Sequence, residues 1–137
     1  MVTRRPTVVQ LKKASESSKE ATLTLQLGKL KGSIHDEVFD RIIKKIKTEF
    51  VNNRVAYRGE LIIEITAPGL PNINFTDLPG LITTTENKKL GDIGEEEQIG
   101  IKQLVESYIV RENTTLVVVE LATIDDLDAS QVSPLLR

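Results

Sequence analysis

The 137-residue sequence has no cysteine, which excludes disulfides and thiolate metal sites and suits a reducing compartment. It also lacks a long hydrophobic run: stretches such as LVVV at 116–119 fall far short of the ~20 residues a spanning helix needs. The first residues, MVTRRPTVVQL, have neither the apolar core nor the small-residue cleavage site of a secretory signal, so the cytoplasm is the expected compartment. An excess of positive charge is missing too. With 18 Lys+Arg against 20 Asp+Glu the net charge is −2, which supplies no overall basic field for nucleic acid, and no nucleic-acid partner is expected. No internal repeat or low-complexity tract occurs. What is present is an ordinary globular mixture, 39% hydrophobic and 28% charged, in a chain long enough for one core.

Residues 6–12, PTVVQLK, are β-branched and apolar after a proline and predict a strand. A solvated turn, KASESSKE, follows. Then ATLTLQL at 21–27 alternates with period two and predicts an antiparallel partner for that first strand. From Ser33 to Phe50 the residues Ile34, Val38, Ile42, Ile46 and Phe50 recur every four positions, widened by Phe39 and Ile43. This predicts a helix with Ser33 as N-cap, Asp36 and Glu37 in its first turn and Lys44, Lys45 and Lys47 near its end. His35, near that start, reads as a surface residue. After a loop at 51–59, ELIIEIT at 60–66 and INFTD at 73–77 predict strands separated by the turn APGLPN, with Ile73 and Phe75 on one face. A polar stretch runs over 83–97. A second amphipathic helix is marked by Ile101, Leu104, Val105, Tyr108 and Ile109, and TLVVVELA at 115–122 predicts a central strand covered on both faces. The final TIDDLDASQVSPLLR reads as a loop leading into a further helix.

Two motifs carry chemistry. Asp77-Leu78-Pro79-Gly80 has the form D-x-x-G directly after a strand; alone, it fits a polar strand end closed by a Pro-Gly turn equally well. It is preceded, with Thr3 and Asp77 74 positions apart, by Val2-Thr3-Arg4-Arg5-Pro6 at the head of a strand-strand-helix-strand block. With both motifs and this order of elements, the chain resembles the GTPase domain of the dynamin superfamily over essentially its whole length. Its VTRRP stands where that family has its switch I signature, and its DLPG where the family enters switch II. The pairing of TRRP with DLPG leans toward dynamins and dynamin-related proteins over Mx proteins.

The resemblance implies an α/β fold: part of a Ras-like P-loop GTPase domain, with a mixed, mostly parallel sheet flanked by helices. It implies GTP and GDP as ligands and Mg2+ as cofactor. Thr3, flanked by Val2 and Arg4, matches the switch I threonine that ligates magnesium, closes over the γ-phosphate and can orient the attacking water. Asp77 matches the acid that holds magnesium through water, and Gly80, after Leu78 and Pro79, the amide that meets the γ-phosphate. Arg4 and Arg5 read equally well as surface cations flanking a phosphate site. Asp125 or Asp126 falls where the family has an acid used in GTPase-domain pairing. For the complete protein the resemblance implies self-assembly, peripheral membrane association through regions outside this chain, membrane remodelling and, in some members, microtubule binding.

Two of the family's motifs are not found in these 137 residues. There is no phosphate loop G-x-x-x-x-G-K-[ST]; the nearest stretch, Gly94 to Gly100, spaces its glycines six apart and carries three glutamates that would repel a triphosphate. There is no guanine-reading [TN]-K-x-D either, since NKKL at 87–90 ends in leucine. Residues 1–137 are therefore expected to be part of one GTPase domain, cut at both ends and inactive alone. The phosphate-loop strand, which the resemblance places between INFTD and TLVVV, would be missing, leaving strand edges unpaired. Residues 82–96 are expected to be ordered by ligand or partner rather than by the core. Two other readings remain: a non-catalytic interaction module of the same descent, and an unrelated α/β protein with a chance D-x-x-G.

Overall fold

The computed structural model describes residues 5–18, 20–51, 59–80 and 95–119. The first strand, β1 (Thr7–Lys13), follows the buried Arg5 and Pro6. Strands β2 (Thr22–Leu27) and β3 (Leu30–Ser33) form a tight hairpin, closed by Leu27 opposite Leu30. Its turn is Gly28-Lys29, and Gly28 has φ 60°. A positive φ at the first central position is what a type II′ hairpin turn asks of glycine. Helix α1 (Glu37–Val51) then crosses back to β4 (Leu61–Ala67). A Pro68-Gly69 turn, with Gly69 at φ 78° and Leu70 N–H donating to Ala67 O at 3.4 Å, leads toward β5 (Ile73–Asp77). Helix α2 spans Glu95–Ile109.

The five strands form one mixed sheet in the order β3-β2-β4-β1-β5. The mixed α/β class predicted from the sequence holds, but the balance of directions does not: β1–β4 is parallel, whereas β1–β5, β2–β3 and β2–β4 are antiparallel. The reason is local. β2 and β5 run against their neighbours β4 and β1, and the further parallel strands that the resemblance calls for are not assigned among the described residues. The pairing expected between β1 and β2 is also corrected: β4 lies between them.

Except for Val8 and Ile62, register puts the apolar strand residues on one face. Phe75, Val9, Ile63, Leu25 and Gly32 line up across the sheet, as do Ile73, Leu11, Ile65 and Leu23. Over the β2–β3–β4 part of that face lies α1, giving a core of Leu25, Leu27 and Ile42 packed by Leu30, Val38, Phe39, Ile43, Ile46, Leu61 and Ile63. The opposite face carries Gln10, Lys12, Glu64, Thr66 and Thr24, with Lys12 Nζ 2.6 Å from Glu64 Oε2. That contact holds the Glu64 carboxyl below its ordinary range, chiefly through the hydrogen bond from Lys12.

Several boundaries differ from those predicted. Ser33 ends β3 instead of capping α1. Asp36 holds the capping position, accepting from Ser33 N at 2.8 Å through its carboxylate and from Phe39 N at 2.9 Å through its carbonyl. Ile34 consequently leaves the helical stripe and is 49% exposed in the turn. His35 is on the surface, as expected. Because α1 runs on to Val51, its lysines precede the last turn. Helix α2 begins at Glu95, inside the stretch read as polar loop; three consecutive glutamates suit the positive end of a helix dipole.

The largest departure is at 115–119, where no strand is assigned and Val117 and Val119 are 83% and 88% exposed. A strand needs a hydrogen-bonded neighbour, and the phosphate-loop strand that should flank it has no counterpart in this sequence. Residues 120–122 lie outside the described residues. The chain divides into two compact units, Met1–Pro79 and Gly80–Arg137. In the second, Ile101, Val105 and Tyr108 are buried along one side of α2, and the Arg111 guanidinium sits 3.5 Å from the centre of the Tyr108 ring.

Candidate functional site

The described part of the site is the C-terminal end of β5. Asp77 is the strand's last residue and is exposed; Leu78 is half-buried, Pro79 buried and Gly80 exposed. Pro79 thus anchors the turn while Asp77 and Gly80 on either side face outward. Gly80 has neither a positive φ nor a crowded neighbourhood: a Cβ there would meet nothing within 4 Å. Neither backbone conformation nor packing asks for glycine at this position. Among the described residues nothing crowds it, and without a side chain its backbone is open to close approach.

Register brings the described end of the other motif, Arg5 and Pro6, to the same end of the sheet. Thr7, the first residue of β1, lies directly opposite Asp77, and Thr7 follows VTRRP without a break. Pro6 is pinned by its carbonyl, which accepts from Leu61 N at 2.9 Å. Thr3 lies four residues before Thr7, so its Cα is within about 14 Å of the Thr7 Cα even in a fully extended chain. Residues Val2, Thr3 and Arg4 themselves lie outside the described residues, as do Asp125, Asp126 and, of the stretch 82–96 expected to be ordered by ligand or partner, residues 82–94; residues 95 and 96 open α2.

Arg5 departs from the surface position considered for it. It is only 8% exposed, and burial lowers its pKa by desolvating the charged form. Packed beside the fully buried Pro6, it belongs to the base of the sheet. No sequence signal separated it from Arg4, because adjacent arginines before a strand look alike until the register is known.

The residue types fit magnesium: a threonine hydroxyl such as that of Thr3 is a hard oxygen donor suited to direct ligation and a carboxylate such as that of Asp77 to binding through water, and a magnesium ion takes only one or two ligands from protein when phosphates and waters supply the rest. The glycine pair nearest to a phosphate loop is excluded on geometry as well as spacing, since Gly100 lies within α2.

Comparison with known proteins gives a consistent result. The family model described as "Dynamin family" matches residues 1–135. Interferon-induced GTP-binding protein Mx2 of Macaca mulatta is 30% identical over 126 residues, covering 91% of this chain and 17% of that protein. The Mx2 protein of Ovis aries is 34% identical over 98 residues, covering 67% and 13% respectively. An Mx protein of Siniperca chuatsi is 27% identical over 143 residues, covering 96% and 21%. The chain thus spans about a fifth or less of the length of these relatives. All three carry the Mx name, so the leaning toward dynamins and dynamin-related proteins draws no support from them.

Proposed function

The chain belongs to the dynamin family, and from that premise we propose that it is the switch-bearing part of a GTPase domain whose complete protein binds and hydrolyses GTP. The observation that carries this reading is the register of β1 on β5. It sets the residue that follows VTRRP opposite the first residue of DLPG, so two motifs 74 residues apart can serve one ligand.

Each residue then has a part. The exposed Asp77 carboxylate, at a strand end, is placed to accept hydrogen bonds from water around a magnesium ion. The Gly80 N–H approaches the γ-phosphate along a path that a side chain would narrow. Thr3, flanked by Val2 and Arg4, closes over the phosphate from the other strand, its hydroxyl a metal ligand and its carbonyl able to orient the attacking water. Magnesium, when bound, neutralises charge on the phosphate oxygens. Leu78 and Pro79 hold the spacing between the acid and the glycine.

Kinship supports the remaining roles. Asp125 or Asp126 takes part in pairing of GTPase domains, and the complete protein self-assembles and remodels membranes as a peripherally bound cytoplasmic protein. Microtubules are a further possible surface for assembly within the same family.

The test is made in the complete protein. Thr3→Ala should leave GDP affinity nearly unchanged while lowering GTP turnover at least about 100-fold, the scale of losing one oriented transition-state contact. Fluorescent-GDP titration and single-turnover phosphate release read the two quantities. Parental turnover in Thr3→Ala would remove the switch I assignment. A complete protein that binds no guanine nucleotide would favour the interaction-module reading instead.

A further inference from the structure

The sheet has two outer strands, and they differ in how they are protected. β3 is four residues long, carries Lys31 and the crowded Gly32, and lies against α1. Short strands, lysines and covering helices are the usual defences of a sheet edge. β5 has five residues, INFTD, all exposed, with no lysine, proline or glycine among them. Ile73 and Phe75 are 42% and 54% exposed, and among the described residues β5 pairs along one edge only, with β1.

We propose that this 137-residue chain forms a two-fold dimer by antiparallel pairing of β5 with the β5 of a second copy. Centred on Phe75, such a pair sets Phe75 opposite the second copy's Phe75 and Ile73 opposite the second copy's Asp77. The only charge in the strand therefore meets an apolar residue and never its own like, which would be unfavourable. A two-fold axis normal to the sheet keeps side chains of facing residues on one side. The apolar row of Val9, Leu11, Ile73 and Phe75 then continues from one copy into the next. The open edge gains a full ladder, and the arrangement closes at two copies.

This edge is built from Ile73–Asp77 and does not include Asp125 or Asp126. It is also the edge that the family resemblance gives to the phosphate-loop strand, so a longer chain carrying that strand should not dimerise here. The dimer is independent of nucleotide, and its failure would leave the GTPase reading untouched.

Sedimentation velocity on the 137-residue chain should show a concentration-dependent monomer–dimer equilibrium, and Phe75→Lys should give monomer with an unchanged far-UV circular dichroism spectrum. Because the chain has no cysteine, single replacements report contacts directly. Phe75→Cys should cross-link to a disulfide dimer several-fold faster than Val117→Cys, which probes the other exposed apolar stretch. Four results would overturn the proposal: monomer at every concentration, dimer undiminished in Phe75→Lys, equal or faster cross-linking at Val117→Cys, or open-ended assemblies in place of a dimer.

Discussion

Gly32 lies beneath the start of α1, where a Cβ would come within 2.8 Å of Phe39 N and 2.9 Å of Val38 Cβ. The first contact is with backbone, so the helix itself would have to move. Gly32→Ala should therefore cost about 1–3 kcal/mol, the usual scale of overpacking, read as a lower urea midpoint at unchanged slope; an unshifted midpoint would mean that α1 yields freely. Glu64 makes a smaller contribution. Its Lys12 partner is half exposed, which limits the pair to about 1 kcal/mol or less. Since folding lowers the Glu64 pKa below its ordinary 4.5, the stabilisation is present above that value and lost as pH falls through the lowered one. Urea midpoints of the wild type and Glu64→Gln should differ slightly at neutral pH and converge well below 4.5.

At the scale of elements, α1 depends on its buried stripe. Ile42 is wholly buried between Leu25 and Leu27, and Ile42→Ala should cost about 2–5 kcal/mol, measured by the loss of chemical stability. The central part of this helix was legible in the sequence because its apolar residues repeat with helical spacing over several turns. Its start was not: Ser33 and Asp36 are both good capping residues, and Ile34 happens to extend the stripe by one step. The Gly-Lys turn between Leu27 and Leu30 was the available signal that a hairpin still had to close before the helix. Strands 7–13, 61–67 and 73–77 could be read from β-branched and alternating residues. Their neighbours could not, because alternation shows which way side chains point and says nothing of which strand lies alongside. At the site, Asp77 and Gly80 were legible as a motif, whereas the placement of Asp77 opposite Thr7 and the burial of Arg5 required the structure.

For the whole molecule, the motifs present and those missing set an expectation for ligand binding. The chain has residues suited to the γ-phosphate and magnesium but no sequence for a phosphate loop or a guanine reader. Most of the contacts that hold a nucleotide are therefore outside it, and GTP-magnesium should bind the 137 residues no more tightly than about 1 mM, equivalent to about 4 kcal/mol. Isothermal titration would show this as no resolvable heat. Guanine-selective binding in the micromolar range would mean that a phosphate cradle forms from residues not recognised as one.

The place of β1 in the sheet also has a consequence for the order of events during synthesis. Of the five strands it is the first to be made, yet it sits between β4 and β5, and about 54 residues separate Thr7 from its partner Leu61. At translation rates of about 5–20 residues per second, Val8, Val9 and Leu11 wait several seconds for a neighbour, while the β2–β3 hairpin and α1 can form from local contacts alone. The slow step is thus closure of the long β1–β4 loop, as expected where distant pairing governs the rate. Until that closure β1 lacks both β4 and β5, its neighbours in the sheet, and the interval is when a holding chaperone would have most to bind.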